Sequence, residues 1–195
     1  MSHTDTRSRI VTAADDLFYR HGFDHTSFAD IAAAVGLSRG NFYYHFKTKD
    51  QILAAVIARR LDQTRALLAE WERQGDSPRT RILSFIDILI MNRVKIAAYG
   101  CPVGTLCSEL VKLDHALQDE ATGLFTLFRD WLARQFAALG HVTQADTLAM
   151  QLLSRSQGAA TLAQAFRDET FLRSEVASMQ AWLDAQLTAK VTPCS

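Results

Sequence analysis

Residues 36–50, Gly36-Leu37-Ser38-Arg39-Gly40-Asn41-Phe42-Tyr43-Tyr44-His45-Phe46-Lys47-Thr48-Lys49-Asp50, gather side chains that hydrogen-bond bases or phosphates, with no acid before Asp50. Arg39 can reach guanine or a phosphate, and Asn41 can pair with a base edge. Ser38 can cap the helix that it opens and donate to a phosphate, while Gly40 lets the backbone approach a duplex closely. Lys49 suits a phosphate at the start of the next helix. Thr26 can do the same at the amino end of the preceding one, helped by the helix dipole. Consecutive residues fan out around a helix, so Phe42 and Phe46, four apart, pack inward while Tyr43, Tyr44 and His45 cannot all do so. A short helix, a glycine turn and a polar-aromatic helix make a helix-turn-helix, whose second helix enters the major groove of DNA. The chemistry is that of reading a sequence.

The elements that must hold this segment are all helical. No stretch alternates with a two-residue period, and the three prolines, Pro78, Pro102 and Pro193, fall between helical patterns or at their starts. The first helix is predicted over residues 6–21, with Ile10, Ala14, Leu17 and Phe18 inward and Gly22 as its stop. The second opens at Thr26 or Ser27, where Ser27 and Asp30 form a capping-box pattern. The recognition helix spans about 38–45, and Thr48 with Gln51 caps a long fourth helix. Beyond the break at residues 75–78 come helices over about 78–98, 102–112, 115–139, 144–167 and 171–190. The fold class is therefore all-α. A three-helix domain, residues 1–50, precedes a larger helical domain, residues 51–195.

Net charge is zero, with 21 basic and 21 acidic residues, so phosphate attraction must come from a local patch: Arg39, Lys47 and Lys49, with Arg7 and Arg9 near the start. Neutrality also predicts modest non-specific affinity and the need for two copies of the unit on one operator. No apolar run approaches the length of a membrane span, so no membrane partner is expected. The first residues lack the basic-then-apolar pattern of a secretory leader. Three cysteines without paired spacing fit a reducing cytoplasm.

Cys101 precedes Pro102, which suits the first position of a helix, so its thiol would meet the positive end of the dipole. Cys107 is six residues on, about 120° around that helix and roughly 9 Å along it, too far for an unstrained disulfide. Two readings stay open: small buried hydrophobes, or a thiol that senses oxidants or electrophiles. Cys194 lies near the end and carries no role. Catalysis would need Cys101 as nucleophile and His115 as base, which nothing brings together. Phosphate-binding glycine loops, zinc-helix histidine pairs and serine elbows do not occur. The chain is read as a non-enzyme without cofactor or metal.

Gly22-Phe23, Thr26-Ser27, Asp30-Ile31-Ala32, Val35-Gly36-Leu37-Ser38, Phe42-Tyr43-Tyr44-His45-Phe46 and Lys47-Thr48-Lys49-Asp50 follow, in order and spacing, the amino-terminal pattern of TetR-family transcriptional regulators. Residues 6 to about 57 resemble that domain, and the rest resembles the family only in the number and length of its helices. The resemblance implies DNA contacts at Tyr44, His45 and Tyr43. It implies a two-fold dimer through the last two helices, where Gly158 and Ala159, then Phe171, Val176, Met179, Trp182 and Leu183, are the candidates. It also implies a chamber for a small, largely apolar inducer among the middle helices, the larger domain thus serving ligand binding and dimerisation. Apolar and aromatic candidates there are Phe85, Leu89, Phe125, Phe128 and Trp131, with Tyr99, Cys101, His115 and Gln157 as further candidates. The implied partners are operator DNA, a second copy and that inducer, and the implied action is repression.

Overall fold

The structure, a computed structural model, describes residues 3–188, which form ten α-helices and one short 3-10 turn. The helices are α1 (His3–His21), α2 (Phe28–Val35), α3 (Arg39–His45), α4 (Lys49–Gln74), α5 (Pro78–Met91), α6 (Arg93–Tyr99), α7 (Pro102–Lys112), α8 (Gln118–Ala138), α9 (Ala145–Phe166) and α10 (Glu169–Thr188). Among the described residues there is no strand. No helix among them is long and apolar enough to cross a membrane. Cys194 and the expected end of the last helix at Lys190 lie outside the described residues.

One predicted helix is two. The apolar run from Pro78 to Ala98 breaks at Asn92, whose backbone leaves the helical region at φ −103°, ψ 9°. Its side-chain amide donates to the Ile88 carbonyl at 2.9 Å. A short amide that bonds the preceding turn competes with the helical ladder, and the chain turns there. Hydrophobic periodicity is blind to such a break.

The chain divides into two compact units, one running to Thr64 together with Pro102–Leu124, the other Arg65–Cys101 together with Phe125 onward. The expected cut at residue 50 misses what holds the first unit together. Ile52, Leu53, Val56 and Ile57 at the start of α4 are fully buried, and α1 packs on both α2 and α7. Arg60 of α4 ties them: it pairs with Asp15 of α1 at 2.7 Å and donates to the Pro102 carbonyl at 2.6 Å.

In the second unit α10 packs against α5 and α9, and α6 against α9. The core runs through Ile82, Phe85, Ile86 and Leu89 of α5, Trp131, Leu132 and Phe136 of α8, Leu152 and Ala159 of α9, and Leu172, Val176, Met179 and Leu183 of α10. Side chains of this size contribute about 1.5–3 kcal/mol each when fully buried. Gln180 donates to Asp87 at 2.8 Å and Arg79 to Asp184 at 2.8 Å, fixing the register of α10 on α5.

This core takes in most of the expected dimer residues. Ala159, Val176, Met179 and Leu183 are buried inside the unit itself, and Phe171 and Trp182 are half-buried against the same core. The spacing 172, 176, 179, 183 is the inward stripe of one amphipathic helix, so it closes the monomer. Of the expected set only Gly158 is open, with nothing within 4 Å of a Cβ built on it.

Candidate nucleic-acid interface

The turn between α2 and α3 follows from its residues. Ser27 caps α2: its hydroxyl accepts the Asp30 amide at 3.1 Å, and its own amide donates to the Asp30 carboxylate at 2.8 Å. The Ser27 hydroxyl, donating at 2.6 Å, and then the Ser27 amide hold the Asp30 carboxyl below its ordinary value of 3.8, against a small opposing effect of burial. At the other end Gly36 adopts φ 67°, ψ 35°, with its amide on the last carbonyls of α2. Left-handed backbone of this kind favours glycine, which is why the turn is tight enough to set α3 beside α2.

Helix α3 sits on Phe42 and Phe46, both buried as expected. The Phe28 ring lies edge-on to Phe42 at 4.8 Å and tilted against Tyr43 at 5.1 Å. Arg7 stacks on Phe46 at 4.8 Å, and Arg9 donates to the Val35 carbonyl at 3.1 Å. Both amino-terminal arginines thus brace the helix-turn-helix. The opposite side of α3 is open. Tyr44 is 66% exposed and Tyr43 46%, Asn41 and Ser38 are exposed, and His45 is half-exposed with its ring edge-on to Tyr44 at 5.3 Å. A Cβ at Gly40 would meet nothing within 4 Å, so the glycine leaves room for an approaching backbone. The Arg39 side chain lies outside the described residues.

Three expected residues are placed differently. Ser38 occupies the N-cap position of α3 with extended backbone but makes no side-chain capping bond. Thr26 is 1% exposed and donates its hydroxyl to the Gly22 carbonyl at 2.7 Å. That side chain closes the α1–α2 loop and is not an open phosphate donor. Lys49 donates to the Phe23 and Asp24 carbonyls at 2.8 and 3.2 Å and lies 4.2 Å over the Phe23 ring. The ammonium is held on the same loop that Thr26 closes.

Helix α7 holds this loop from the other side, and sequence reasoning missed it. The Glu109 carboxylate accepts the Phe23 amide at 2.9 Å and the Asp24 amide at 3.0 Å. His115, expected as an anchor for a ligand, belongs to the first unit instead. Its ring is edge-on to Phe23 at 5.1 Å, its Nδ1 accepts the Leu117 amide at 3.1 Å, and its Nε2 lies 3.5 Å from Asp50. Glu109 and Phe23 are 86 residues apart, beyond any local pattern.

The other expected ligand residues fall in the second unit. Phe85, Leu89 and Trp131 are buried, and Phe125, Phe128 and Cys101 pack against the core. Phe85 and Phe128 meet at 5.6 Å between ring centres, and Trp131 meets Trp71 at 5.6 Å. Tyr99 on α6 and Gln157 on α9 are half-exposed. Cys107 lies in the first unit, buried, with its thiol on the Ala121 carbonyl at 3.4 Å.

Comparison with known proteins agrees with this geometry. The family described as "Bacterial regulatory proteins, tetR family" matches residues 10–56, and "Transcriptional regulator LmrA/YxaF-like, C-terminal domain" matches residues 78–178. An uncharacterized HTH-type transcriptional regulator from the lacX 3' region of Lactococcus lactis subsp. lactis is 29% identical over 174 residues, 87% of this chain and 89% of that protein. The HTH-type transcriptional repressor DhaR of Mycobacterium sp. (strain GP1) is 25% identical over 133 residues, 68% of this chain and 64% of that one. A TetR transcriptional regulator from Legionella pneumophila superposes with a TM-score of 0.81 at 27% identity, over 95% of this chain and 98% of that one. An exposed recognition helix on a braced helix-turn-helix, followed by a carboxy-terminal domain of matching family over more than half of the sequence, makes this chain a member of the TetR family of DNA-binding transcriptional regulators, not an enzyme.

Proposed function

We propose that this regulator is a cytoplasmic, dimeric repressor that leaves its operator when a small, largely apolar ligand enters the second unit. The observation that carries the reading is the aromatic interior of that unit, where Trp71 meets Trp131 and Phe85 meets Phe128. The similar DhaR protein is a transcriptional repressor, which supports the sign of the response. Contact with DNA is assigned to Ser38, Arg39, Gly40, Asn41, Tyr43, Tyr44 and His45, and dimerisation to the outer faces of α9 and α10. On α9 the exposed residues Met150, Ser154, Gly158, Leu162 and Phe166 recur every four positions, forming one stripe along the helix. Two recognition helices would then address half-sites one DNA turn, or a multiple of it, apart.

Helix α4 begins beside the Phe23 loop at Lys49 and ends at Gln74 in the second unit. It is the element through which a ligand would alter the recognition helix, provided that the ligand prefers one arrangement over the other. The test is a gel shift on DNA flanking the protein's own gene, repeated with candidate small molecules. An active ligand should weaken operator binding, and operator should weaken ligand binding by the same factor. Failure of every apolar compound tried to release DNA, with release by oxidants that Cys101→Ser abolishes, would replace the ligand reading with a thiol switch. Among the described residues, burial of Cys107 leaves Cys101 as the thiol able to serve it.

A further inference from the structure

Among the described residues, three buried side-chain polar atoms of the second unit have no hydrogen-bond partner; Arg93 Nε faces the Glu169 carboxylate at 3.3 Å, which leaves two without a charged neighbour, on Trp131 and Gln135. Trp131 is 1% exposed and Gln135 is 4% exposed. Neither the Trp131 indole N–H nor the Gln135 Oε1 has a hydrogen-bond partner among the described residues. The unit's other buried polar side chains behave differently: His141 bonds the Gln186 carbonyl at 3.0 Å and Ser156 the Leu153 carbonyl at 2.7 Å. Buried donors and acceptors are nearly always paired, and each exception calls for a physical explanation.

The two exceptions are neighbours. Trp131 and Gln135 are four residues apart on α8, so their side chains share one face of the helix. Phe128, one turn earlier on that face, meets the Phe85 ring, and Trp131 itself meets Trp71. One unpaired donor and one unpaired acceptor therefore lie on the same face of α8, beside aromatic rings that offer neither of them a partner. A ligand group that serves both must accept from an indole and donate to an amide oxygen.

We infer that Trp131 and Gln135 form the polar recognition element for the effector, and that the effector is a neutral molecule presenting a hydroxyl on an apolar, ring-sized body. The hydroxyl oxygen accepts from Trp131 Nε1–H while its hydrogen is donated to Gln135 Oε1. A carboxylate cannot donate and an ammonium cannot accept, so neither ionic group can serve both atoms. This rests on the proposed ligand-gated function and adds to it the chemistry of what is bound.

The test uses the full-length protein and three probes of similar shape: benzyl alcohol, which accepts and donates; benzyl methyl ether, which only accepts; and ethylbenzene, which does neither. Binding is followed by calorimetry and by the indole N–H resonances of protein labelled with nitrogen-15 at tryptophan, the Trp131 signal being assigned by Trp131→Phe. Benzyl alcohol should bind roughly tenfold or more tighter than ethylbenzene, and both oxygen-bearing probes should shift the Trp131 resonance downfield. Gln135→Met should erase the advantage of alcohol over ether and raise Tm without ligand, since it removes an unpaired acceptor. Equal binding of all three probes with an unmoved Trp131 signal overturns the assignment while leaving an apolar pocket in place. Binding of none overturns it too. A lower Tm in Gln135→Met shows an acceptor already satisfied by buried water, and also overturns it. If benzyl alcohol binds as expected but operator DNA is retained, the assignment stands and the ligand-gated function fails.

Discussion

At the scale of single residues, the open face of α3 separates those that choose a sequence from those that brace the motif. Tyr44→Ala should weaken operator binding and leave the melting temperature unchanged, because its ring is largely in solvent. Asn41→Ala should relax the choice at one base pair by about 1–3 kcal/mol, read from a panel of single-base operator variants. Lys49 is different, since its ammonium already holds two carbonyls and covers a ring. Lys49→Met should lower Tm by several degrees, at about 2–4 °C per kcal/mol for a chain of this size. A phosphate contact alone would reduce the salt slope by about one unit without touching Tm, so the two measurements separate the roles. The sequence made the recognition residues legible because adjacent types on one short helix carry them. It could not show that Lys49 and Thr26 close a loop, because their partners are backbone carbonyls, which carry no residue signature.

At the scale of elements, caps and turns were the most legible features and long-range clamps the least. The Ser27–Asp30 box was read from two residues three apart, and the structure forms both of its bonds. Its carboxyl sits below the ordinary 3.8, so its contribution is complete above that value and is lost as pH falls further, through the lowered folded-state value. The Tm difference between the parent and Asp30→Ala should therefore hold at neutral pH and shrink below about pH 3.8. The Glu109 clamp left no trace in the sequence, yet it dictates a residue elsewhere. Gly22 has φ +88°, and a Cβ there would meet Glu109 Oε1 at 2.9 Å. Gly22→Ala should cost about 1–2 kcal/mol for the left-handed backbone alone, besides displacing the carboxylate. Glu109→Ala leaves the Phe23 amide without its acceptor, at about 1–3 kcal/mol. The double variant should lose less than the sum, because both changes break one contact.

At the scale of the whole molecule, period predicted the helices, apart from the break at Asn92, but not which apolar face meets what. Two stripes alternate on α9 and α10, one inward and one outward, and composition favoured the inward one, where Val176, Met179 and Leu183 stand. The outward stripe is weaker in hydrophobicity but exposed, with Phe166 at 75%. Met150→Glu combined with Leu162→Glu should give a folded monomer with unchanged helicity, and operator affinity should fall with it because two half-sites no longer act together. Light scattering that still reports a dimer would move the interface elsewhere.

The clamp on the Phe23 loop bears on how parts of this protein can be exchanged with others. Grafting residues 1–50 onto a foreign effector domain treats the DNA reader as a cassette defined by its sequence boundaries. Its boundary in space is discontinuous: the chain up to Thr64 needs Pro102–Leu124, which carry Glu109 and His115. A hybrid cut at residue 50 discards the acceptor for two loop amides and the imidazole beside Phe23. One that keeps both segments retains them, and should therefore inherit the parent's operator preference where the simple splice does not.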